Sequence, residues 1–120
     1  LLLEDKDQKV IKNFISEKTL KVDIDILSLA IKNLLDNGIK YSADHKVFIE
    51  YEEQYLHIIS KGEQLSRPLD EYLKPFHNET KDKTHGMGMG LYIVYTILSL
   101  HNFTLTYTYK DGKNIFSILH

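Results

Sequence analysis

Leu29-Ala30-Ile31-Lys32-Asn33-Leu34-Leu35-Asp36-Asn37-Gly38-Ile39-Lys40-Tyr41-Ser42 is the stretch on which the fold turns. With Leu27 added, Ile31, Leu34, Leu35 and Gly38 recur at three- and four-residue intervals, the period of a helix with one buried stripe. Asp23 or Asp25 stands where it can cap that helix, and the dipole favours a carboxylate there. The helix should end near Tyr41-Ser42, because Ala43-Asp44-His45-Lys46 reads as a turn. Asn33, Asn37, Lys40 and Tyr41 fall at i, i+4, i+7 and i+8 and share one face, roughly opposite the aliphatic stripe. Two carboxamides and an ammonium on one face suit an oxyanion accompanied by a hard cation. An Asn oxygen can bind Mg²⁺, and a Lys can meet a phosphate as a point charge. A solvated helix face has the same composition, so the pattern alone leaves both readings open.

Outward from this helix the elements alternate. Upstream, Val10–Ile15 suits a strand, and Thr19-Leu20-Lys21-Val22 alternates with period two as its expected hairpin partner. Downstream, Val47–Tyr51 and Tyr55–Ser60 read as adjacent strands. A loop, Lys61–Pro68, leads to a short amphipathic stretch, Leu69–Leu73, that Pro75 must end. His77–His85 is wholly polar and reads as a surface loop. Gly86-Met87-Gly88-Met89-Gly90 then leads into an apolar helix over Leu91–Leu100. Strands Thr104–Tyr109 and Asn114–Leu119 follow, joined through Asp111-Gly112, a strong hairpin signal. Neighbouring strands pair directly and two helices remain. The expected class is therefore α+β: a two-layer α/β sandwich, its sheet mixed and mostly antiparallel, with helices on one face.

Composition narrows the function. The 120 residues are the length of one domain, expected to span 1–120. There is no cysteine, which excludes disulfides, thiolate metal sites and cysteine nucleophiles. Fourteen Lys and a single Arg, Arg67, face seventeen acids, for a net charge of −2. A nucleic-acid binder needs a basic excess with arginine forks, so that class is excluded as a working reading. No apolar run approaches a bilayer span, and Leu1-Leu2-Leu3-Glu4-Asp5-Lys6 does not read as a signal peptide. Three leucines followed at once by charges look like the last turns of a helix, so the chain reads as a domain whose start is truncated.

Alternating glycines before a helix let backbone N–H groups approach an anion, and the helix adds its positive dipole end. A flexible hinge is the plainer reading of Gly86–Gly90. A dinucleotide fingerprint fails, because Leu91 stands where its third glycine is needed and a polar loop, not a strand, comes before. A Walker A loop fails for want of Gly-Lys-Ser/Thr.

Taken together and in order, these pieces resemble the ATPase domain of sensor histidine kinases, in the superfamily that includes DNA gyrase B and mismatch-repair ATPases. Leu29–Ser42 looks like the N box, Lys74-Pro75-Phe76 like the end of the F box, and Gly86–Val94 like the G2 box. His77–His85 sits where that family has its ATP lid, and the likeness runs from about Val10 to Leu119. The resemblance implies a Bergerat-type ATP-binding fold, with ATP and Mg²⁺ as ligands. It implies that Asn37 ligates the metal with Asn33 in support, that Lys40 contacts phosphate, and that Tyr41 lines the nucleotide pocket. Gly86, Met87, Gly88, Met89 and Gly90 would hold the triphosphate through backbone amides, with Leu91 at the helix start and Phe76 anchoring the lid. Two places depart from the family pattern. In the G1 box, Ser60 stands at the adenine-reading Asp, Gly62 at the first glycine and Gln64 at the second. A hydroxyl is a weaker, neutral acceptor, a loss of about 1–2 kcal/mol if one charge-assisted bond goes. The His-Gly-Gly that often follows the G2 helix is His101-Asn102-Phe103 here.

The function implied is that of a protein-histidine kinase, Asn33 and Lys40 serving catalysis. The γ-phosphoryl of Mg·ATP would pass to a histidine on a separate dimerisation domain and then to a response regulator. His45, His57, His77, His85, His101 and His120 lie in no phosphoacceptor motif and no metal-site spacing, so the isolated domain should not phosphorylate itself. The expected setting is the cytoplasmic part of a homodimeric receptor in a bacterial inner membrane. Superfamily members that hydrolyse ATP commonly carry Glu at the position of Asn33, and a carboxamide cannot take a proton from water. Two rival readings stand beside it. One is a degenerate nucleotide-sensing or docking module, motivated by Ser60 and Gln64. The other is an ATP-driven clamp, which would need a transducer domain.

Overall fold

The computed structural model describes residues 9–14, 23–74 and 85–120. Helix α1 spans Ile24–Tyr41, and the Asp23 carboxylate caps it by accepting the Ile26 N–H at 3.2 Å. Asp25 lies within the first turn, its charge still near the positive end of the dipole. At the far end Ser42 takes over. Its buried hydroxyl donates to the Ile39 carbonyl and accepts the Lys46 N–H, each at 3.1 Å, tying α1 to the next strand.

That strand, β2 (Lys46–Glu52), turns back as β3 (Tyr55–Lys61), and β4 (Thr104–Lys110) turns back as β5 (Lys113–Leu119). Asp111 and Gly112 both take positive φ, 52° and 74°, as a two-residue type I′ hairpin turn requires. Strand β1 (Lys9–Phe14) lies parallel to β2, Val10 beside Val47 and Phe14 beside Tyr51. Parallel neighbours need a long crossover, and α1 supplies it. The order is β1-β2-β3-β5-β4, a mixed and mostly antiparallel sheet as the sequence predicts. The expected hairpin partner of β1, Thr19–Val22, lies outside the described residues.

One side of the sheet carries the core. Val47 and Ile49 of β2, Ile58 of β3, Leu105 of β4 and Phe116 and Ile118 of β5 are buried beneath Leu34 and Leu35 of α1 and Leu91, Val94 and Leu98 of helix α3 (His85–Leu100). Short α2 (Leu69–Tyr72) adds Tyr72, fully buried with its hydroxyl 3.1 Å from that of Ser66. Each such apolar side chain contributes about 1.5–3 kcal/mol on burial.

Helix α3 (His85–Leu100) corrects one boundary. The glycine run was expected to precede the helix, with Leu91 at its start. Instead Gly86–Gly90 forms its opening turns and Leu91 lies inside it. Glycine costs about 1 kcal/mol relative to alanine in a helix, and packing of the stripe Leu91, Val94 and Leu98 overrides that weak preference. The first-turn N–H groups of a helix lack intrahelical acceptors.

The end of α3 explains the second departure noted above. The Phe103 N–H donates to the Leu98 carbonyl at 2.8 Å and the Asn102 N–H to that of Ser99 at 3.0 Å, with Asn102 at φ 60°. This is a Schellman cap, which wants glycine at the left-handed position, and asparagine is the side chain that tolerates it best. His101 is a structural residue. Its Nδ1 lies 2.9 Å from the Ile97 carbonyl, and its Nε2 accepts the Asp23 N–H at 3.3 Å. One nitrogen donates and the other accepts, which matches a neutral imidazole. The Asp23 bond joins the start of α1 to the end of α3, so the two helices run antiparallel.

Candidate functional site

Asn37, on the face of α1 that also carries Asn33 and Lys40, meets Gly90 in the opening turns of α3. A Cβ built on Gly90 would lie 3.1 Å from Nδ2 of Asn37, so glycine is what lets the backbone of α3 approach this carboxamide. Nδ2 is buried and has no hydrogen-bond partner. A buried, unsatisfied amide costs about 1–3 kcal/mol, and its persistence calls for an explanation beyond folding. Lys40 is exposed, its ammonium 5.2 Å from the centre of the Tyr41 ring, while Tyr41 packs against the core. Lys32 and Asp36, one helix turn apart, make an exposed ion pair at 3.0 Å, leaving Lys40 as the cation nearest Asn37 along α1.

Beneath the same part of α1 lies Ser60. Gly38 permits the close approach: its Cβ would stand 3.1 Å from Val47 Cγ2 and 3.9 Å from Ser60 Cβ. Among the described residues Ser60 is one of three buried serines, and the other two have their hydroxyls engaged, Ser42 as described and Ser117 at 2.6 Å from Nδ1 of His57. The Ser60 hydroxyl has no partner among the described residues. Gly62 follows, its Cβ position 3.3 Å from the Tyr41 carbonyl. Asn37, Tyr41, Ser60, Gly62, Gly90 and Leu91 are thus gathered at one end of the sandwich, with Asn33 and Lys40 on the adjoining face of α1. Gly86, Met87, Gly88 and Met89 are in the first turns of α3. Phe76 lies outside the described residues.

Three residues of this region escaped the sequence reading. The Leu65 N–H donates to the Tyr107 hydroxyl at 3.1 Å, and that hydroxyl donates to Oδ1 of Asn114. Asn114 returns Nδ2 to the Glu63 carbonyl at 2.9 Å, while the Tyr109 hydroxyl donates to the Gly62 carbonyl at 2.9 Å. The loop after β3 is therefore held by side chains of β4 and β5, more than forty residues away in sequence. The one available signal was that Tyr107 and Tyr109 alternate toward the helix-covered face. Asn114→Ala should cost about 1–3 kcal/mol in chemical denaturation, since it strips partners from the Glu63 carbonyl and the Tyr107 hydroxyl.

Burial pushes the Tyr107 hydroxyl above the ordinary tyrosine range, partly offset by the Leu65 N–H, with smaller upward contributions from Tyr109 and Tyr72. A raised folded-state pKa favours the neutral phenol in the folded chain. Its contribution is complete below the unfolded tyrosine pKa of about 10 and is lost as pH rises through the folded value. Stability should therefore fall in alkali, and less steeply in Tyr107→Phe, when unfolding is followed from pH 8 upward.

A concavity of about 380 Å³ at the β2–β3 turn, lined by Glu52, Glu53, Gln54, Tyr55 and His57, is a poor rival. It lies at the other end of β3, roughly 15 Å from Ser60 at strand rise. Its two glutamates would repel a polyanion.

The model of the family described as histidine kinase-, DNA gyrase B-, and HSP90-like ATPase matches residues 22–119, and the chain belongs to that family. Sensor histidine kinase ArsS of Helicobacter pylori is 32% identical over 119 residues, 98% of this chain and 28% of that protein. Sensor histidine kinase HprS of Escherichia coli is 28% identical over 99 residues, 78% of this chain and 22% of that protein. The chain spans about a quarter of the length of these relatives. A nucleotide-free catalytic domain of histidine kinase ThkA superposes with a TM-score of 0.70 at 18% identity, covering 93% of this chain and 77% of that one. Histidine kinase AdeS of Acinetobacter baumannii gives 0.67 at 24% identity, covering 93% and 53%. The α+β fold is that of histidine kinase catalytic domains. Among the described residues no helix is long and apolar enough to cross a membrane.

Proposed function

We propose that the chain is the ATP-binding catalytic domain of a two-component sensor histidine kinase, a single domain that presents Mg·ATP to a histidine on a separate dimerisation domain. The observation that carries this reading is the buried Nδ2 of Asn37, without a hydrogen-bond partner and set against a glycine of α3. A carboxamide offers an oxygen to a hard cation and an N–H to a phosphate. Asn37 would hold the metal with Asn33 beside it, Lys40 would meet the phosphates, and the first-turn amides of α3 would face the negative charge. Mg²⁺, when bound, neutralises charge on the β- and γ-phosphoryl groups.

The chain's own part is positioning. Tyr41 and Ser60 would flank the base, Gly62 would leave room for it, and Leu91 would support the floor. In the transfer, the bond from the γ-phosphorus to the β–γ bridging oxygen breaks, a bond to an imidazole nitrogen forms, and ADP leaves. Asn33 cannot accept a proton, so water is not activated at that position and transfer is favoured over hydrolysis. From the histidine the phosphoryl group would pass to an aspartate of a response regulator. The family setting further supports a cytoplasmic position in a homodimeric bacterial membrane receptor.

The test is reconstitution with γ-labelled ATP. The chain alone should acquire no label, and adding the receptor's dimerisation domain should yield acid-labile, base-stable phosphohistidine on that partner. A second reading, a docking module that no longer transfers phosphate, is favoured by Ser60 and Gln64 in the G1 segment. Nucleotide binding without any labelled partner would support it.

A further inference from the structure

The face of the sheet turned away from α1 and α3 ends in a row of lysines. Lys9 of β1 stands beside Lys46 of β2, Lys61 of β3 beside Lys113 of β5, and Lys113 beside Lys110 of β4. Lys46 and Lys61 each lie two residues beyond the paired Phe48 and Ile59, so every strand brings one lysine position to the same end of the sheet. Val47 and Ser60, the chain neighbours of Lys46 and Lys61, lie against Gly38 of α1. Leu105 and Phe116, an odd number of residues from Lys110 and Lys113, are in the core, so strand alternation sends the lysines to the opposite face. Lys46, Lys61, Lys110 and Lys113 are exposed, and none of their ammonium groups forms an ion pair among the described residues. Strands about 4.8 Å apart make the row about 19 Å long. Like charges set opposite one another on neighbouring strands destabilise a sheet. Packing asks for lysine at none of these exposed positions, and the alignment carries a cost that an anionic partner would reverse.

The surroundings select among anions. Lys40 joins the five lysines against Asp44, Glu63 and Asp111 in the adjoining turns and loop, so this end keeps a positive excess in a chain whose net charge is −2. Glu50 and Glu52 follow Lys46 along the same face of β2, Glu52 at about 20 Å by strand rise. A flat surface standing across the strand ends meets the whole row and stays clear of these acids, whereas a polyanion laid along the strands would run onto them. Phe48, Ile59 and Ile115, half-buried and paired across β2, β3 and β5, form an apolar strip one row in from the lysines. Ammonium groups ahead of an apolar strip suit anionic headgroups over an apolar boundary. Nucleic acid favours arginine forks and aromatic platforms, and the row is lysine alone. We propose that this end of the sheet docks on an anionic phospholipid surface, with Lys46, Lys61, Lys110 and Lys113 meeting the headgroup phosphates. The docking is independent of the nucleotide reading above.

Co-sedimentation of the unmodified chain with lipid vesicles tests it. At about 50 mM salt the chain should bind vesicles of phosphatidylglycerol and phosphatidylcholine but not phosphatidylcholine alone, and should be released by about 300 mM salt. One lysine near such a surface is worth about fivefold in partitioning, so Lys61→Gln with Lys113→Gln should weaken binding about 25-fold. That pair of changes removes a like-charge contact between β3 and β5, so the thermal midpoint should hold or rise and lost binding is not lost folding. Lys32→Gln with Lys74→Gln removes the same charge away from the row and should alter binding less than about threefold. No binding to the anionic vesicles at low salt, or equal losses from the two double variants, would overturn the proposal. A single-stranded oligonucleotide or polyglutamate bound more tightly than the vesicles would overturn it too, and would assign the row to nucleic acid or to an acidic protein.

Discussion

Asn37→Ala should weaken ATP binding in the presence of Mg²⁺ by about 10–100-fold while leaving binding without the metal nearly unchanged. The magnitude is that of one lost interaction with a charged group, about 1.5–3 kcal/mol. Stability should move the other way. The carboxamide has a buried nitrogen with no partner, so its removal relieves a cost and should leave unfolding free energy the same or about 1 kcal/mol higher. A residue kept for packing would behave oppositely, losing stability first and binding as a consequence. Paired denaturation and titration curves separate the two cases. A variant that loses stability yet binds Mg·ATP normally would remove Asn37 from the site.

Gly90→Ala should dissociate the same two properties by another route. Alanine raises helix propensity by up to about 1 kcal/mol, and Gly90 lies within α3, so the thermal midpoint should hold or rise. The new Cβ would stand 3.1 Å from Nδ2 of Asn37, closer than carbon usually approaches, and the amide is the movable partner. Displacing it by a few tenths of an ångström should reduce Mg·ATP affinity by about tenfold, since a metal ligand tolerates little misplacement. Unchanged affinity would mean that the fit between α3 and Asn37 is packing alone.

Both expectations come from a contact that no local pattern could reveal. The helical face of Asn33, Asn37 and Lys40 was legible because i, i+4 and i+7 spacing places residues on one side of a helix whatever surrounds it. The strands after it were legible because Val47–Tyr51 and Tyr55–Ser60 are short apolar-rich runs bounded by turns, and Asp111-Gly112 forms the turn its chemistry demands. The parallel pairing of β1 with β2 was not legible, because it depends on α1 acting as a crossover and on a register between strands some thirty residues apart. The start of α3 was misplaced for a related reason. Local glycine preference argued for a loop, while the buried stripe further along decided for a helix. The brace around Lys61–Leu65 could not be read at all, since Tyr107, Tyr109 and Asn114 look like ordinary strand residues until β5 is laid against β3.

Ser60 shows how a sequence departure gains meaning from its surroundings. By residue type alone, serine in place of aspartate reads as the loss of a charged acceptor. In place, it is a buried side chain beneath Gly38 of α1, with the following loop held independently of it. The same substitution in a mobile loop would argue for decay of the site.

The most direct test is a calorimetric titration of ATP into the unmodified chain with and without Mg²⁺. ATP should bind saturably, one per chain, and tighter by about tenfold or more when the metal is present. No detectable binding at millimolar ATP, or binding indifferent to Mg²⁺, would contradict it.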